Sequence, residues 1–179
     1  MATILETPWL MLRTMSHDDL DFIAAMLAHP EVMRFWPRPL ARVEAEEWIR
    51  RQVGRYETNG FGYWLALDRQ SGAPIGQIGL VAKPLDGADE VELAYMVHRP
   101  FWRNGYASEG AAACREYAFN TLDRPRILCL IRPENTPSLG VARKIGLTTD
   151  NRIILHFGSD HLVFTGERSL LCSQDLSKS

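Results

Sequence analysis

The segment from Val91 to Ala118 joins a strand pattern to a helix pattern through a short turn that contains a glycine. Val91–Val97 is typical of a strand, and Ala107–Asn120 is typical of a helix rich in small residues. At such a junction the unpaired backbone N–H groups and the helix dipole favour an anion. Gly105 allows close approach because it has no side chain. The segment is typical of an α/β fold, and the turn is a candidate anion site.

The turn has two interpretations when it is considered alone. It is either a phosphate site, with Arg103 as a nearby positive charge, or a tight strand-to-helix connection in which Gly105 only shapes the backbone. The segment contains neither G-x-G-x-x-G nor G-x-x-x-x-G-K-[ST]. A dinucleotide-binding fold and a nucleotide triphosphatase are therefore disfavoured.

The whole chain, at 179 residues, is long enough for one well-packed domain and short for two. Strand and helix patterns alternate along it, so we expect one α/β domain over residues 1–170 and a C-terminal tail over residues 171–179. The other predicted strands are Trp9–Arg13, Phe61–Leu67, Pro74–Val81, Ile127–Ile131, Ile153–Phe157 and Leu162–Thr165. The other predicted helices are Ser16–His29, Arg42–Asn59 and Pro137–Ile145, and Met33–Pro39 is an irregular aromatic loop.

Charge and composition exclude several classes of protein. A net charge of −2 gives no reason to expect nucleic-acid binding, and no apolar run approaches the ~20 residues that span a bilayer. Met1–Arg13 lacks the basic start of a signal peptide. Three widely spaced cysteines and five scattered histidines form neither a disulfide framework nor a metal-binding pattern. We therefore expect a cytoplasmic protein with reduced thiols and no metal site.

Charged and aromatic residues elsewhere have less specific interpretations. On the helix Arg42–Asn59, Glu46–Arg50 and Glu47–Arg51 are spaced as i,i+4 ion pairs, which predicts a solvated face rather than a binding site. Two aromatic groups could line an acceptor pocket or belong to the core. These are Phe35 and Trp36 in the irregular loop, and Phe61, Tyr63 and Trp64 in the following strand.

Two spaced motifs resemble a known family. Glu92–Val97 followed by Trp102–Glu109 resembles the acetyl-CoA motif of the GNAT superfamily of N-acetyltransferases. Pro133–Ser138 with Lys144–Leu147 resembles the second half of that motif, and together they resemble the branch of the ribosomal-protein N-terminal acetyltransferases. A looser likeness extends from Trp9 to about Val163. The resemblance implies a single domain whose mixed central sheet contains a splayed pair of parallel strands, flanked by helices.

The resemblance also implies acetyl-CoA as co-substrate. The turn would hold the pyrophosphate through backbone amides, and the strand before it would pair with the pantetheine arm. Asn135 is expected to touch the cofactor and Lys144 to lie near it. The cofactor-binding residues expected on this basis are Met96, Val97, His98, Arg103, Asn104, Gly105, Tyr106, Ala107, Ser108, Asn135 and Lys144.

Glu92 is the best candidate for the general base. An alkyl amine has a pKa near ~10, so transfer at neutral pH requires its deprotonation. Strand alternation puts Glu92 on one face with Ala94 and Met96, where apolar neighbours would raise the pKa of its carboxyl group. The alternative is a carboxylate that points to solvent or pairs with a basic residue.

The acid that protonates the leaving thiolate has more than one candidate. Many members of the superfamily use a tyrosine about where this chain has Ala142, and the ribosomal-protein branch implies Ser138 instead. Ser138 could equally be a capping residue in the first helical turn. Tyr95 and Tyr106 are weaker alternatives. The backbone N–H of Val97 is the expected oxyanion donor.

These residues together predict an N-acetyltransferase that moves an acetyl group from acetyl-CoA to a primary amine. Direct transfer is expected because no cysteine is placed as a nucleophile. The acceptor is a protein N-terminus or a small amine, and a homodimer is left open. The alternative is a module that binds and senses acetyl-CoA without turnover.

Overall fold

An eight-stranded sheet runs through the computed structural model, which describes residues 1–168. Its strands are β1 Thr3–Glu6, β2 Leu10–Arg13, β3 Tyr63–Asp68, β4 Pro74–Leu85, β5 Ala88–Val97, β6 Arg126–Ile131, β7 Ile153–His156 and β8 Ser159–Glu167. Four α-helices flank it: α1 Leu20–Ala28, α2 Arg42–Asn59, α3 Tyr106–Asn120 and α4 Thr136–Lys144. The predicted tail, residues 171–179, lies outside the described residues.

The strands lie in the order β1-β2-β3-β4-β5-β6-β8-β7. Every neighbouring pair is antiparallel except β5 and β6, which α3 connects as a parallel crossover. These two strands share a single register pair, Glu92 with Leu128, and separate beyond it. The predicted α/β domain with a splayed parallel pair is confirmed.

The structure differs from the predicted elements at two places. β1 was not predicted, and the hairpin of β4 and β5 extends through pairs from Ala82–Val91 to Leu85–Ala88. This extension contains charged residues and a turn with positive φ at Asp86 and Gly87, so its composition is that of a loop. Cross-strand backbone hydrogen bonds continue the pairing although few side chains there are buried.

Two apolar clusters cover the two faces of the sheet. One cluster contains Trp64, Ile78 and Leu93 from the strands, and α3 packs there through its small residues, which include Cys114. The other contains Leu65 and Met96, together with residues of α1 and α2. Cys114 and Cys129 are buried free thiols.

Gly110 lets α3 lie unusually close to the sheet. A Cβ atom at this position would clash with Ile78 Cδ1 and would lie 3.1 Å from Leu10 Cδ1. Replacing a mid-helix glycine by alanine normally stabilises a helix by about 1 kcal/mol, whereas overpacking a core costs about 1–3 kcal/mol. We expect Gly110→Ala to lower the free energy of unfolding by up to about 2 kcal/mol, measured by chemical denaturation.

Gly140 in α4 provides the matched control because a Cβ atom there would meet nothing within 4 Å. Gly140→Ala should raise the free energy of unfolding by roughly 0.5–1 kcal/mol. Equal stabilisation by the two substitutions would contradict the close packing of α3.

Candidate active site

The alternation of β5 places Glu92 on the face covered by α2. Val91 and Leu93 are buried in the cluster beneath α3, whereas Ala94 and Met96 belong to the cluster of α1 and α2. The sequence predicts this arrangement, with Glu92, Ala94 and Met96 on one face of the strand. Glu92 also forms the only register pair between β5 and β6, so it lies where the two strands begin to separate.

A cavity of about 280 Å³ opens over Glu92. Residues of α2, β4, β5, β6 and α4 line it, and they include the predicted site residues Glu92, Asn135 and Ser138. The predicted catalytic pair therefore shares one cavity, although 46 positions separate the two residues in the chain. The remaining predicted site residues do not line this cavity.

Burial raises the pKa of the Glu92 carboxyl group to about 7. Removing the charged carboxylate from water is the dominant cause, and the positive charges of Lys83 and Arg55 act in the opposite direction. Near neutral pH, Glu92 therefore exists in comparable amounts as acid and as carboxylate. Such a group can accept a proton and release it again at the pH at which an enzyme works.

The raised pKa also predicts how Glu92 affects stability. The folded state holds the proton more tightly than the unfolded chain, so charging Glu92 destabilises the fold as pH rises through about 4.5–7. We expect Glu92→Gln to have a higher free energy of unfolding than the wild type at pH 8, by up to about 3 kcal/mol. The difference should vanish below pH 4, where both states of the wild type are protonated.

Chemical denaturation at pH 4 and pH 8 measures this effect. Asp89→Asn serves as the control because Asp89 is an exposed carboxylate in the same strand. It should show no comparable gain at pH 8. A Glu92→Gln variant less stable than the wild type at pH 8 would mean that a favourable contact to the carboxylate outweighs its burial.

Ser138 lies in the first turn of α4, half-buried at the edge of the cavity. Its backbone N–H donates to the Asn135 side chain at 3.3 Å, which caps the helix. Its carbonyl accepts from the Tyr95 hydroxyl at 3.0 Å. Asn135 is thus the capping residue, and Ser138 is fixed through its backbone. Ala142, where a tyrosine was considered, is fully buried in the core.

Tyr95 and Tyr106 have other partners. Tyr95 lines the cavity, but burial raises the pKa of its hydroxyl, which is hydrogen-bonded to Ser138. The Tyr106 hydroxyl donates to Asp68 at 2.8 Å, and this bond raises the pKa of the tyrosine. Tyr106 therefore connects the start of α3 to the end of β3.

The free edge of β5 lies opposite β6, where the strands separate. His98 N–H donates to the Ile75 carbonyl in β4 at 2.8 Å. Because neighbouring residues in a strand direct their N–H groups to opposite sides, Val97 N–H points away from β4 and into the gap. The Val97 carbonyl accepts from Trp102 Nε1 at 2.7 Å. The side chain of Met96 is buried beneath α2.

The turn before α3 has the backbone of an anion site. Arg103 and Gly105 have φ values of 65° and 85°, whereas the residues on either side of Gly105 have negative φ. Alternation of this kind makes successive N–H groups converge. Gly105 is the N-cap of α3 and has no side chain to occupy those groups. The first intrahelical bond runs from Glu109 N–H to the Gly105 carbonyl at 3.0 Å.

The other predicted cofactor residues lie in different surroundings. Arg103 and Asn104 are exposed, and Ala107 and Ser108 are half-buried in the first turn of α3. The His98 ring lies between Phe22 and His29, and burial lowers its pKa. Lys144 is exposed at the last residue of α4, at the end opposite Ser138.

The charged face of α2 differs from its prediction. Arg50 pairs with Glu47 at i,i+3, not with Glu46 at i,i+4. The Arg51 guanidinium lies over the Trp48 ring, 5.4 Å from its centroid, instead of reaching Glu47. The predicted i,i+4 pairs therefore do not form. Arg50 and Arg51 are nevertheless exposed, as a solvated face implies, and Arg51 also lines the cavity.

Several cavity residues were missed or left open at the sequence level. Those missed include Arg51, Arg55, Lys83 and His156, and no spacing pattern in the sequence connects them. Among the aromatic residues, Phe35, Trp36 and Tyr63 line the cavity, whereas Phe61 and Trp64 are buried in the cluster beneath α3.

Residues 10–148 match the family described as the acetyltransferase (GNAT) domain. The chain belongs to the GNAT acetyltransferases. A relative from Bacillus subtilis, the uncharacterized protein YkkB, is 33% identical over 81% of this chain and 85% of its own. The uncharacterized N-acetyltransferase YnaD of the same organism is 28% identical over 79% of this chain and 80% of its own.

Solved GNAT structures share the fold. An acetyltransferase from Agrobacterium tumefaciens superposes with a TM-score of 0.80 at 28% identity, covering 94% of this chain and 95% of that one. RimL, a ribosomal L7/L12 alpha-N-protein acetyltransferase in complex with coenzyme A, superposes with a TM-score of 0.77 at 15% identity, covering 93% of this chain and 98% of that one. The spermidine N-acetyltransferase SpeG of Vibrio cholerae superposes with a TM-score of 0.73 at 18% identity, covering 94% of this chain and 99% of that one. The similarity of this chain to RimL and SpeG concerns the fold alone.

Proposed function

We propose that this GNAT acetyltransferase moves an acetyl group from acetyl-CoA directly to a primary amine. The observation that carries the proposal is the meeting of Glu92 and Ser138 in one cavity, at the point where β5 and β6 separate. A proton acceptor and a hydroxyl group thus lie beside an open strand edge. Amine acetylation needs a neutral amine, a stabilised oxyanion and a protonated leaving thiolate, and these groups can supply them.

The geometry of the chain fits acetyl-CoA at two places. The convergent N–H groups of the turn from Arg103 to Ser108 suit the pyrophosphate, and the free edge of β5 at Val97 suits the amide groups of the pantetheine arm. Asn135, beside the cavity, is the proposed contact to the arm from α4. Lys144 is exposed and is kept as a weaker contact on the basis of the resemblance alone.

Each proposed catalytic group has one role. Acetyl-CoA supplies the acetyl group as a thioester. Glu92 accepts a proton from the ammonium form of the acceptor, directly or through water, so that the neutral amine can attack. Val97 N–H donates to the carbonyl oxygen on which negative charge develops. Ser138 passes a proton to the sulfur as the carbon–sulfur bond breaks. Because a serine hydroxyl is a weaker acid than a thiol, Ser138 would need to regain a proton from the reacting amine.

Direct transfer is proposed because the cysteine that lines the cavity is a poor nucleophile. Cys129 is buried, its thiol donates to the Leu93 carbonyl at 3.0 Å, and burial raises its pKa well above the usual range. A thiol in this environment rarely forms the reactive thiolate. We therefore propose no acetyl-enzyme intermediate on this cysteine.

The acceptor is proposed to be a protein N-terminus or a small amine. RimL and SpeG share the fold, and their names assign them a ribosomal protein and spermidine respectively, so the fold alone does not choose between these classes. Within residues 1–168, no helix combines the length and apolarity needed to cross a bilayer. The cytoplasmic location and the homodimer stay predictions.

A free-thiol assay with a panel of amines tests the proposal. Release of CoA that depends on both acetyl-CoA and an amine is the expected result. Ala142 stands where many members have a tyrosine, which favours the alternative of an acetyl-CoA sensor. A thermal shift with acetyl-CoA but no amine-dependent release would favour that sensor. The panel should include peptides that begin with Ser, Ala or Thr.

A further inference from the structure

Three basic side chains surround the cavity without a carboxylate partner. The ion pairs formed within residues 1–168 include most arginines of the chain, but none includes Arg51, Arg55 or Lys83. All three line the cavity, together with only one acidic residue, Glu92. The third lining arginine, Arg132, is neutralised by Glu134 at 2.5 Å. The cavity therefore has an excess of positive charge.

The three cations come from two sides and converge. Arg51 and Arg55 are one turn apart on α2, a spacing that places two side chains next to each other. Lys83 lies on β4, two residues beyond Val81, which is directly opposite Glu92. Lys83 and Arg55 are close enough to Glu92 to lower the pKa of its carboxyl group against the effect of burial. A group bound by these cations would lie a few bonds from an amine at Glu92.

Neutral partners hold the cations and leave donors available. Arg55 donates from Nη1 to the Gln52 side chain at 3.1 Å, and Arg51 lies over Trp48. Lys83 Nζ lies 3.1 Å from His156 Nδ1. Burial lowers the pKa of His156 to about 4, so it is neutral at physiological pH. An arginine has five N–H donors and a lysine three, so each can still bind an anion.

The cofactor's pyrophosphate is not the expected partner of these cations. α2 packs on the face of the sheet that carries Met96, whereas α3, whose start is the proposed pyrophosphate site, packs on the opposite face. A cationic substrate is also disfavoured, because three uncompensated positive charges would repel it. The remaining candidate for the partner of the three cations is an anionic group on the acceptor.

We propose, on the basis of the function proposed above, that the acceptor is an amine carrying a carboxylate or a phosphate, which Arg51, Arg55 and Lys83 bind. The anion and the amine occupy the cavity together, with the amine at Glu92. The cations also favour the neutral form of the attached amine, because they disfavour a second positive charge. Polyamines such as spermidine are poor acceptors.

Matched amines test the proposal through kcat/KM at pH 8. Alanine is compared with alaninamide, phosphoethanolamine with ethanolamine, and 4-aminobutyrate with 1,4-diaminobutane. The anionic member should be preferred by roughly ten- to hundredfold in at least one of the first two pairs, and that pair identifies carboxylate or phosphate. Alaninamide has the less basic amine and is more fully deprotonated, so a preference for alanine cannot arise from amine ionisation.

Variants connect the preference to the residues. Arg51→Gln should raise KM for the preferred acceptor about tenfold or more and leave KM for acetyl-CoA unchanged. Arg55→Lys, which keeps the charge, should retain more of the preference than Arg55→Gln. Arg50→Gln is the matched control, since Arg50 is adjacent in α2 but pairs with Glu47 at the surface. Arg50→Gln should leave KM for the acceptor and KM for acetyl-CoA unchanged.

The outcomes separate this inference from the function on which it rests. Turnover with ethanolamine or 1,4-diaminobutane at least equal to that of the anionic amines would overturn the inference and leave acetyl transfer intact. A rise confined to KM for acetyl-CoA would assign the cations to the cofactor. If no amine gave turnover, acetyl transfer to this panel would fail, and two binding comparisons would decide the inference: N-acetylalanine against N-acetylalaninamide, and N-acetylphosphoethanolamine against N-acetylethanolamine. Preference for the anionic member of either pair, lost in Arg51→Gln, would support it, and its absence in both pairs would overturn it.

Discussion

Gly105→Glu is expected to abolish measurable acetyl-CoA binding, with a loss of affinity of at least about a hundredfold. The substitution puts a carboxylate at the N-cap of α3, where the convergent N–H groups are proposed to hold the pyrophosphate. A Cβ atom at this position would also lie 3.3 Å from the Trp9 ring. Isothermal calorimetry or a thermal shift with acetyl-CoA measures the effect.

Two controls separate charge from backbone strain. Gly87 also has a positive φ, 79°, and a Cβ atom there would meet nothing within 4 Å. Gly87→Glu therefore carries a similar strain of about 1–2 kcal/mol in the turn between β4 and β5, at the end of β5 opposite Val97, and it should retain acetyl-CoA affinity. Gly105→Gln adds similar bulk without the charge and should lose less affinity than Gly105→Glu. Micromolar binding by Gly105→Glu would remove the pyrophosphate site from the proposal.

Glu92→Gln should reduce kcat about a hundredfold at pH 7 and remove one step from the pH profile. In the wild type, the carboxylate that accepts the proton forms as pH rises through about 7, so activity should fall below that pH. The variant should keep only the dependence that comes from ionisation of the amine itself. Its activity should therefore approach that of the wild type at high pH.

Steady-state rates from pH 5.5 to pH 9.5 measure this profile. Glu92→Asp, which keeps a carboxylate on a shorter side chain, should recover part of the activity and part of the pH step. Asp89→Asn should leave the profile unchanged, because Asp89 is exposed at the far end of β5. An unaltered profile in Glu92→Gln would exclude Glu92 as the base.

Most of the fold could be predicted because it depends on local patterns. The strand, turn and helix from Val91 to Asn120 each carry their own signal of periodicity, glycine and small residues. β1 was missed because it is an edge strand of only four residues, too short to show an alternating pattern. The extension of the β4–β5 hairpin was missed because backbone hydrogen bonds, not apolar side chains, hold it.

The candidate site was predicted less completely than the fold. Glu92 and Ser138 lie in recognisable motifs, so the sequence could indicate them. Arg51 was predicted as a solvated helix residue because an i,i+4 glutamate was available to it. It is exposed, but its guanidinium lies over the Trp48 ring and it also lines the cavity. His156 and Lys83 are 73 positions apart and meet through the tertiary fold alone. Contacts of this kind leave no local spacing pattern.

The single register pair between β5 and β6 has a consequence for how the chain folds. β1 to β5 are neighbours in both sequence and sheet, so most of their pairings close short loops and can form early. β6 can join them only after α3 has crossed over, and it gains one paired position with β5, at Glu92 and Leu128. Local opening should therefore be easier along this boundary than within the hairpins, which hydrogen exchange would detect. The proposed chemistry takes place along the boundary of the sheet that we expect to open most readily.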